Sequence, residues 1–213
     1  MHGTQNRQAE AGIERRTAHP LRIAGLKAFM KSEAIAYVVR RWVEDLVVGL
    51  DLCPFAGHEL KRNRVRFVVT EAATEEQLLA ALETELALLD DDASVETTLL
   101  IHPAVLQDFF DYNQFLDTAE RLLVHLELEG VYQIASFHPD YQFAGTAAED
   151  AENFTNRSPY PLLHILREES LALRIAAYPD VEKIPVRNIE RMKRLGREKL
   201  QSILQGCSDG NNN

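Results

Sequence analysis

The sequence predicts an α/β domain with a small, mainly parallel sheet of three or four strands flanked by helices. Three short runs rich in β-branched and apolar residues, at 64–70, 97–101 and 131–137, alternate with segments whose apolar residues recur at helical spacing. Such alternation favours parallel strands joined by right-handed crossovers. The chain of 213 residues, 46% apolar, is long enough for one buried core. A ferredoxin-like α+β sheet is the alternative, and it needs an antiparallel neighbour that the sequence does not reveal.

The first predicted helix begins at Ser32, a good N-cap residue, and ends near Gly49. Its core-facing residues recur every three or four positions and are Ile35, Val39, Trp42, Leu46 and Leu50. Residues 1–31 lack this periodicity and are predicted to form a flexible extension. A single domain is therefore expected over 32–205, followed by a disordered tail at 206–213.

The middle of the chain alternates predicted strands and helices. The run at 64–70 alternates apolar and polar residues, and Thr74 with Gln77 then forms a capping box that opens the next helix. The run at 97–101 does not alternate, which is typical of a strand covered on both faces. A third helix, with Gly130 beyond its end, leads to the strand at 131–137.

The last third of the chain is predicted to be helical after a long loop. Ser158 and Pro161 are typical of a helix start, and apolar residues continue the pattern from Leu162 and Leu166 up to Tyr178. Residues 170–176 are the candidate for a missing fourth strand. A final helix is predicted from about residue 185 to 204.

Composition limits the partners that this protein can bind. The net charge is −10, and because residues 1–31 contribute +4 from six Lys or Arg and two Glu, the remainder carries −14. A domain with this much negative charge repels phosphate backbones, which argues against nucleic acid as a partner. Cys53 and Cys207 do not indicate a disulfide framework, and no apolar segment is long enough to span a membrane. A reducing, cytoplasmic setting is expected.

The segment 137–161 is the most site-like part of the sequence. It has no helical or strand period, yet it contains histidine, carboxylates, amides, an arginine and five aromatic residues. Loops this long inside a domain are usually functional or disordered, and the aromatic residues argue against disorder. We therefore expect an ordered loop that forms one wall of a site.

Two histidines, His102 and His138, each precede a proline directly after a predicted strand. Parallel strands would bring both to one edge of the sheet, where α/β proteins bind ligands. Either imidazole could act as a general acid or base, with Asp140 orienting it, or each could simply hydrogen-bond a loop carbonyl. Together with His164, which the predicted helix places one turn from Glu168, they could also hold a divalent metal such as zinc.

Arg157 is the candidate group for binding a negatively charged ligand, because it precedes a predicted helix N-terminus. Asn156 and Tyr141 could add ligand contacts, although Asn156 could equally cap a turn. A structural salt bridge is the alternative role for Arg157, with three possible partners: Glu149, Asp150 and Glu152.

Cys53 is a candidate nucleophile if a histidine lies near enough to generate its thiolate. A connection from a helix to a strand normally delivers its residues to the amino edge of the sheet, opposite His102 and His138. The segment 51–63 is long enough to cross, so a catalytic cysteine and a buried, inert one both remain open.

The chain also resembles a known family. The strings ETTLLIHPAVLQDFFDYNQFLD, ASFHPDYQFAGT, DAENFTNRSPYPLLHILREES and YPDVEKIPVRNIERMKRLG, with LDLCPFA, are similar to the bacterial family catalogued as domain of unknown function 1415. The resemblance covers about residues 37–199 and brings no assigned activity. It implies that the following residues belong to the signature segments of the family: His102, Asp111, Asn113, His138, Asp140, Tyr141, Gly145, Asn156, Arg157, Ser158 and His164.

Three functions compete at this stage. The first is an enzyme acting on a small anionic metabolite, with histidine as acid or base or with a metal, and with Arg157 binding the substrate's charge. The second is a module that binds a small ligand or metal without turnover. The third is a protein-interaction surface, which exposed apolar area around Phe143 and Phe154 would favour.

Overall fold

The structure, a computed structural model, describes residues 20–209, with side chains for residues 28–208. The strands are β1 (Val65–Val69), β2 (Thr97–Ile101), β3 (Tyr132–Phe137) and β4 (Leu162–Arg167). The α-helices are α1 (Pro20–Trp42), α2 (Ala56–Lys61), α3 (Glu75–Asp91), α4 (Phe109–His125), α5 (Glu168–Ala177), α6 (Ile184–Leu195) and α7 (Arg197–Asp209). A π-helical turn (Val43–Val48) and two 3₁₀ turns (Ala151–Thr155, Val181–Lys183) complete them. None of the helices within 20–209 combines enough length and apolar character to cross a membrane.

The four strands form a mixed sheet in the order β1-β2-β4-β3. β1 and β2 are parallel, while β4 is antiparallel to both of its neighbours, β2 and β3. The predicted α/β class is confirmed, but the sheet is mixed rather than mainly parallel. The element order is β-α-β-α-β-β, whereas a ferredoxin-like sheet follows β-α-β-β-α-β, so that alternative does not describe this fold.

The fourth strand lies where the sequence predicts a helix. Residues 162–167 pair with β2 and β3, and the predicted strand at 170–176 is instead part of α5. The sequence LLHILR is short and almost wholly apolar, and periodicity alone does not separate such a run from a buried helix. Pairing with a strand on each side decides its conformation.

Helices cover both faces of the sheet. On one face, α3 and α4 pack a leucine-rich core against Leu100, Leu163 and Ile165. On the other face, α1, the π-helical turn and α7 pack against Leu99, Ile101 and Leu162. The capping box predicted at the start of α3 is confirmed, since the Thr74 side chain accepts a hydrogen bond from the Gln77 amide.

The chain ends differ from the expected boundaries. Helix α1 begins at Pro20, not at Ser32, so residues 20–31 belong to a helix rather than to a flexible extension. The predicted last helix is two helices broken at Gly196, whose φ of +76° suits glycine. Helix α7 continues to Asp209, and Cys207 in the expected disordered tail is buried. Residues 1–19 and 210–213 lie outside the described residues, so the extension and tail there stay predictions.

The hydroxyl of Tyr112 joins strands at the sheet edge. It donates to the Leu162 carbonyl at 2.8 Å and accepts from the Phe137 amide at 2.9 Å, and the ring has no exposed surface. Tyr112→Phe leaves both buried backbone groups without this partner. We expect the free energy of unfolding to fall by about 2–4 kcal/mol, measured by urea denaturation.

Tyr141→Phe is the matched control, because the Tyr141 hydroxyl makes no hydrogen bond to a described residue and its loss should cost less than about 0.5 kcal/mol. Equal effects of the two substitutions would show that the bridging hydroxyl does not stabilise the sheet edge.

Candidate functional site

The structure brings His102 and His138 to the same edge of the sheet, with the start of β4 between them. Both rings pack against Tyr112, with ring centroids 5.8 Å from Tyr112 for His102 and 5.1 Å for His138. Strands β2 and β3 point the same way because each is antiparallel to β4. The shared edge was thus predictable even though the strand between them was not.

Neither imidazole is accessible, however. His102 and His138 both have zero exposed fraction. His102 Nδ1 donates to the Val105 carbonyl at 3.0 Å, and His138 Nε2 donates to the Leu106 carbonyl at 3.2 Å. Leu106 has a φ of +55°, a conformation that bulky residues rarely adopt. The two histidines therefore fix the connection between β2 and α4, which was their alternative structural role.

Burial also keeps these imidazoles neutral. It lowers the pKa of His102 from 6.5 to about 4, against the opposing effect of the Val105 carbonyl, and a charge on nearby His138 lowers it further. Burial likewise lowers the pKa of His138, while the Leu106 carbonyl and the Asp140 carboxylate oppose the change. A neutral, sealed ring suits a structural hydrogen bond better than proton exchange with a substrate.

The loop residues predicted to bind ligand mainly bind the loop itself. Arg157 donates from Nε to the Tyr141 carbonyl at 3.2 Å and from Nη2 to the Ala148 carbonyl at 2.7 Å. Asn156 Nδ2 donates to the Ser136 carbonyl at 3.0 Å. The Asp140 amide donates to His138 Nδ1 at 3.0 Å, and its side chain is exposed. The predicted anion clamp therefore holds two loop carbonyls, with none of the three expected salt bridges.

Asn153, which like Asn156 could be predicted either to cap a turn or to bind ligand, is the centre of this loop. It is fully buried, and its Oδ1 accepts from the Phe143 amide at 3.0 Å and the Thr146 hydroxyl at 2.9 Å. Its Nδ2 donates to the Ala147 carbonyl at 2.8 Å. Phe154 beside it is 2% exposed, whereas Phe143 is 36% exposed, so of the two aromatic residues named for an interaction surface only Phe143 contributes exposed area.

The predicted three-histidine metal centre is not assembled. His164 lies on β4 between Leu163 and Ile165, which face α3 and α4, so its side chain faces the opposite side of the sheet from Tyr112 and its two histidines. Within residues 28–208, no group of three His, Cys, Asp or Glu side chains could hold a metal ion. Residues 162–167 form a strand and not the predicted helix, which is why His164 lies apart from the other two histidines.

His164 instead lines an apolar cavity of about 250 Å³ between the second face of the sheet and the helices over it. The sheet contributes residues from all four strands, and the cover comes from the end of α1, the π-helical turn, α2 and α5. Its lining residues are Trp42, Val43, Val47, Cys53, Phe55, Ala56, Glu59, Leu60, Val65, Glu96, Thr97, Leu99, Ala135, Phe137, His164, Leu166, Arg167, Ser170, Leu171 and Arg174.

The π-helical turn shapes one side of this cavity. The Gly49 amide donates to the Glu44 carbonyl five residues earlier, at 3.0 Å, and the turn places Val43 and Val47 in the lining. A side chain at Gly49 would collide with the Asp45 carbonyl, so only glycine fits there. Cys53 follows this turn and enters the same lining.

Cys53 thus shares the cavity lining with Val65 and Thr97, the first residues of β1 and β2, in agreement with the connection rule, and His102 and His138 are not among the lining residues. Its thiol is half-buried and makes no hydrogen bond to a described residue, including His164. A histidine-activated thiolate is therefore not formed in this arrangement.

Charged side chains at the cavity are largely paired with one another. Glu59, which is 6% exposed, forms an ion pair with Arg174, and its other oxygen lies 3.6 Å from Arg64. Arg64 also pairs with Glu96 at 2.8 Å. Arg167 donates to carbonyls of the segment after α3, including Val95. Glu59, Glu96 and Arg174 are thus paired with opposite charges, whereas Arg167 is held by carbonyl oxygens and Glu59 Oε2 has no hydrogen-bond partner among the described residues.

The chain belongs to a family whose description is "Protein of unknown function (DUF1415)", since residues 34–202 match the model of that family. The expected resemblance is confirmed over most of the chain. No curated protein matches the chain. No solved structure matches it.

The buried His102 predicts a pH dependence of stability. With a folded pKa of about 4 and an unfolded pKa of 6.5, the unfolded chain binds more protons between these values. The contribution of neutral His102 is therefore complete above about pH 6.5 and declines as the pH falls towards about 4. We expect a loss of about 2 kcal/mol in the free energy of unfolding between about pH 7.5 and about pH 5 from this residue.

Urea denaturation of His102→Asn measures this contribution, because the asparagine amide can still donate to Val105 but does not titrate. The pH dependence should shrink in this variant and persist in His125→Asn, whose ring is exposed. An unchanged pH dependence in His102→Asn would contradict the assignment.

Proposed function

We propose that this protein binds a small, mainly apolar molecule in the cavity lined by Trp42, Leu99, Ala135 and His164. The observation that carries the proposal is the lining itself: mainly aliphatic and aromatic side chains surround about 250 Å³, together with a few polar groups that include His164 and Thr97. Ligand sites in proteins have this composition, with apolar walls and few polar contacts that fix orientation. The site lies on the opposite face of the sheet from Tyr112 and the two histidines beside it.

The volume limits the size of the ligand. A cavity of about 150 Å³ holds a benzene molecule, so about 250 Å³ suits a molecule of roughly ten non-hydrogen atoms. A bicyclic aromatic compound has this size. A gain of roughly 0.4–0.55 kcal/mol per non-hydrogen atom, towards the lower end of what ligands achieve, gives a ten-atom molecule a dissociation constant of about 0.1–1 mM.

A neutral ligand fits the cavity better than the anionic metabolite predicted from Arg157. Arg174 in the lining pairs with Glu59, and Glu96 in the lining pairs with Arg64. Arg167, the other arginine of the lining, is held by backbone carbonyls. An added carboxylate would compete with those pairs inside a poorly solvated space. Binding without turnover is favoured because Cys53 has no hydrogen-bonded base among the described residues.

Filling the cavity tests this function. Ala135 pairs with His164 in the sheet and lines the cavity, so Ala135→Leu places three further carbon atoms in the ligand's space. We expect at least a tenfold loss of affinity for indole and benzofuran, measured by calorimetry, on the order of 1.4 kcal/mol or more. The melting temperature should be kept or raised, because the side chain fills empty volume.

An NMR measurement on Trp42 and a control variant complete this test. The indole N–H resonance of Trp42, the single tryptophan, should shift when a probe binds the wild-type protein. Ile134→Leu is the matched control, because Ile134 is the neighbouring β3 residue and faces the other core. The proposal is wrong if neither probe shifts Trp42, or if Ala135→Leu binds both probes as the wild type does.

A further inference from the structure

We propose that the ligand of this cavity presents a hydrogen-bond donor, an O–H or N–H group, to Nδ1 of His164. The inference rests on the proposed function and narrows it to a chemical class: small, neutral, mainly apolar molecules with one donor group. Phenol-like and indole-like compounds belong to this class. The argument starts from the hydroxyl of Thr97, which fixes the tautomer of the imidazole.

Thr97 Oγ1 lies 2.5 Å from the Ile165 carbonyl oxygen and 2.7 Å from His164 Nε2. A carbonyl oxygen only accepts, so the single hydroxyl proton of Thr97 is donated to Ile165. The hydroxyl oxygen must then accept from His164, and Nε2 carries the ring proton. Because a neutral imidazole has one N–H, its Nδ1 is left as an acceptor.

The surroundings keep the ring neutral. Burial lowers the pKa of His164 to about 4, and no carboxylate contacts the ring to oppose the change. At neutral pH the ring is therefore unprotonated at Nδ1. No described residue donates a hydrogen bond to Nδ1, although the residue lines the cavity. An acceptor left unpaired in an apolar site favours a ligand that supplies the donor.

The other polar groups of the lining discriminate less strongly between ligands that carry a donor and ligands that carry an acceptor. Glu96, Arg167 and Arg174 are engaged in ion pairs or with backbone carbonyls. Glu59 Oε2 has no hydrogen-bond partner in the described part of the chain and lies 3.6 Å from Arg64, so it could also accept from a ligand. A preference for donors that came from Glu59 would not depend on the hydroxyl of Thr97. The Ser170 hydroxyl can both donate and accept, so it does not distinguish the two kinds of ligand.

Trp42 offers the opposite preference. Its Nε1–H is buried without a hydrogen-bond partner, and a ligand with an acceptor atom could satisfy it. Trp42 and His164 thus predict opposite ligand chemistry. Nδ1 is the group we favour, because the Nε1 atom of Trp42 is shielded from probe-sized molecules while His164 keeps an exposed fraction.

Indole and benzofuran distinguish a contact with His164 from a contact with Trp42. The two compounds have nearly the same size and shape, but indole has an N–H that donates where benzofuran has an ether oxygen that accepts. Calorimetric titration of the full-length wild-type protein should give at least about tenfold tighter binding of indole, the effect of one buried hydrogen bond. Equal affinities would overturn the donor inference and leave the proposed function standing. Tighter binding of benzofuran would also overturn it and would assign the polar contact to Trp42. Failure of both probes to bind would overturn both proposals.

Substitutions in β2 test the tautomer argument. Thr97→Val removes the acceptor that holds the proton on Nε2, so the ring can carry its proton on Nδ1, and the preference for indole should fall to about equal affinity or reverse. Thr97→Ser keeps the hydroxyl and should keep the preference. Thr98→Val is the matched control: this adjacent hydroxyl is buried without a partner on the opposite face of the sheet, so its loss should leave the preference unchanged. An unchanged preference in a folded Thr97→Val protein would overturn the inference.

Discussion

The insertion of β4 between β2 and β3, antiparallel to both, is the constraint on which the rest of this structure depends. It makes β4 a central strand, and both of its faces are buried by helices. Successive side chains of a strand face opposite sides, so β4 contributes Leu163 and Ile165 to one core and His164 to the cavity on the other face. The sheet thus separates His164 from His102 and His138, which pack against Tyr112 on the other face.

The pairing of β3 with β4 does not by itself require the long loop between them. The chain leaves β3 at Phe137 and returns at Leu162, directly opposite, a connection that a tight hairpin could make. The 3₁₀ turn Ala151–Thr155 and the buried amide of Asn153 give this connection its own hydrogen bonds. Buried loop backbone requires such partners, and polar side chains supply them here. A composition that resembles an active site can therefore serve an ordered connection.

Much of the fold could be predicted from the sequence, because periodicity and capping report local conformation. The capping box at Thr74, the strand at 97–101 and the common edge of His102 and His138 were read correctly. The role of LLHILR depends on which strands flank it, and no local pattern carries that information. With β4 read as a helix, His164 was paired with Glu168, and its contact with Thr97, 67 residues away, could not be anticipated.

The candidate site shows the same limit more sharply. A histidine directly after a strand is a good indicator that the residue lies at the edge of the sheet. Its function depends on burial, which the sequence does not show. His102 and His138 are sealed and donate to turn carbonyls, and only the three-dimensional structure distinguishes them from accessible imidazoles. A cavity has no sequence signature, because it depends on how side chains that are distant in the sequence pack in three dimensions. Gly49 near the end of the predicted first helix, and Cys53 after it, indicated a turn in the chain. Neither residue indicated the cavity beside that turn.

The two faces of the sheet differ in how closely their side chains pack. Protein interiors are usually close-packed, and the face under α3 and α4 follows this rule, because Tyr112, His102 and His138 have no exposed surface. On the other face, the side chains around His164 surround a cavity of about 250 Å³. Apolar walls with a few polar groups are typical of ligand sites, whereas the sealed imidazoles leave no room for a ligand. The physical difference between the two faces of the sheet is what directs the functional argument to His164.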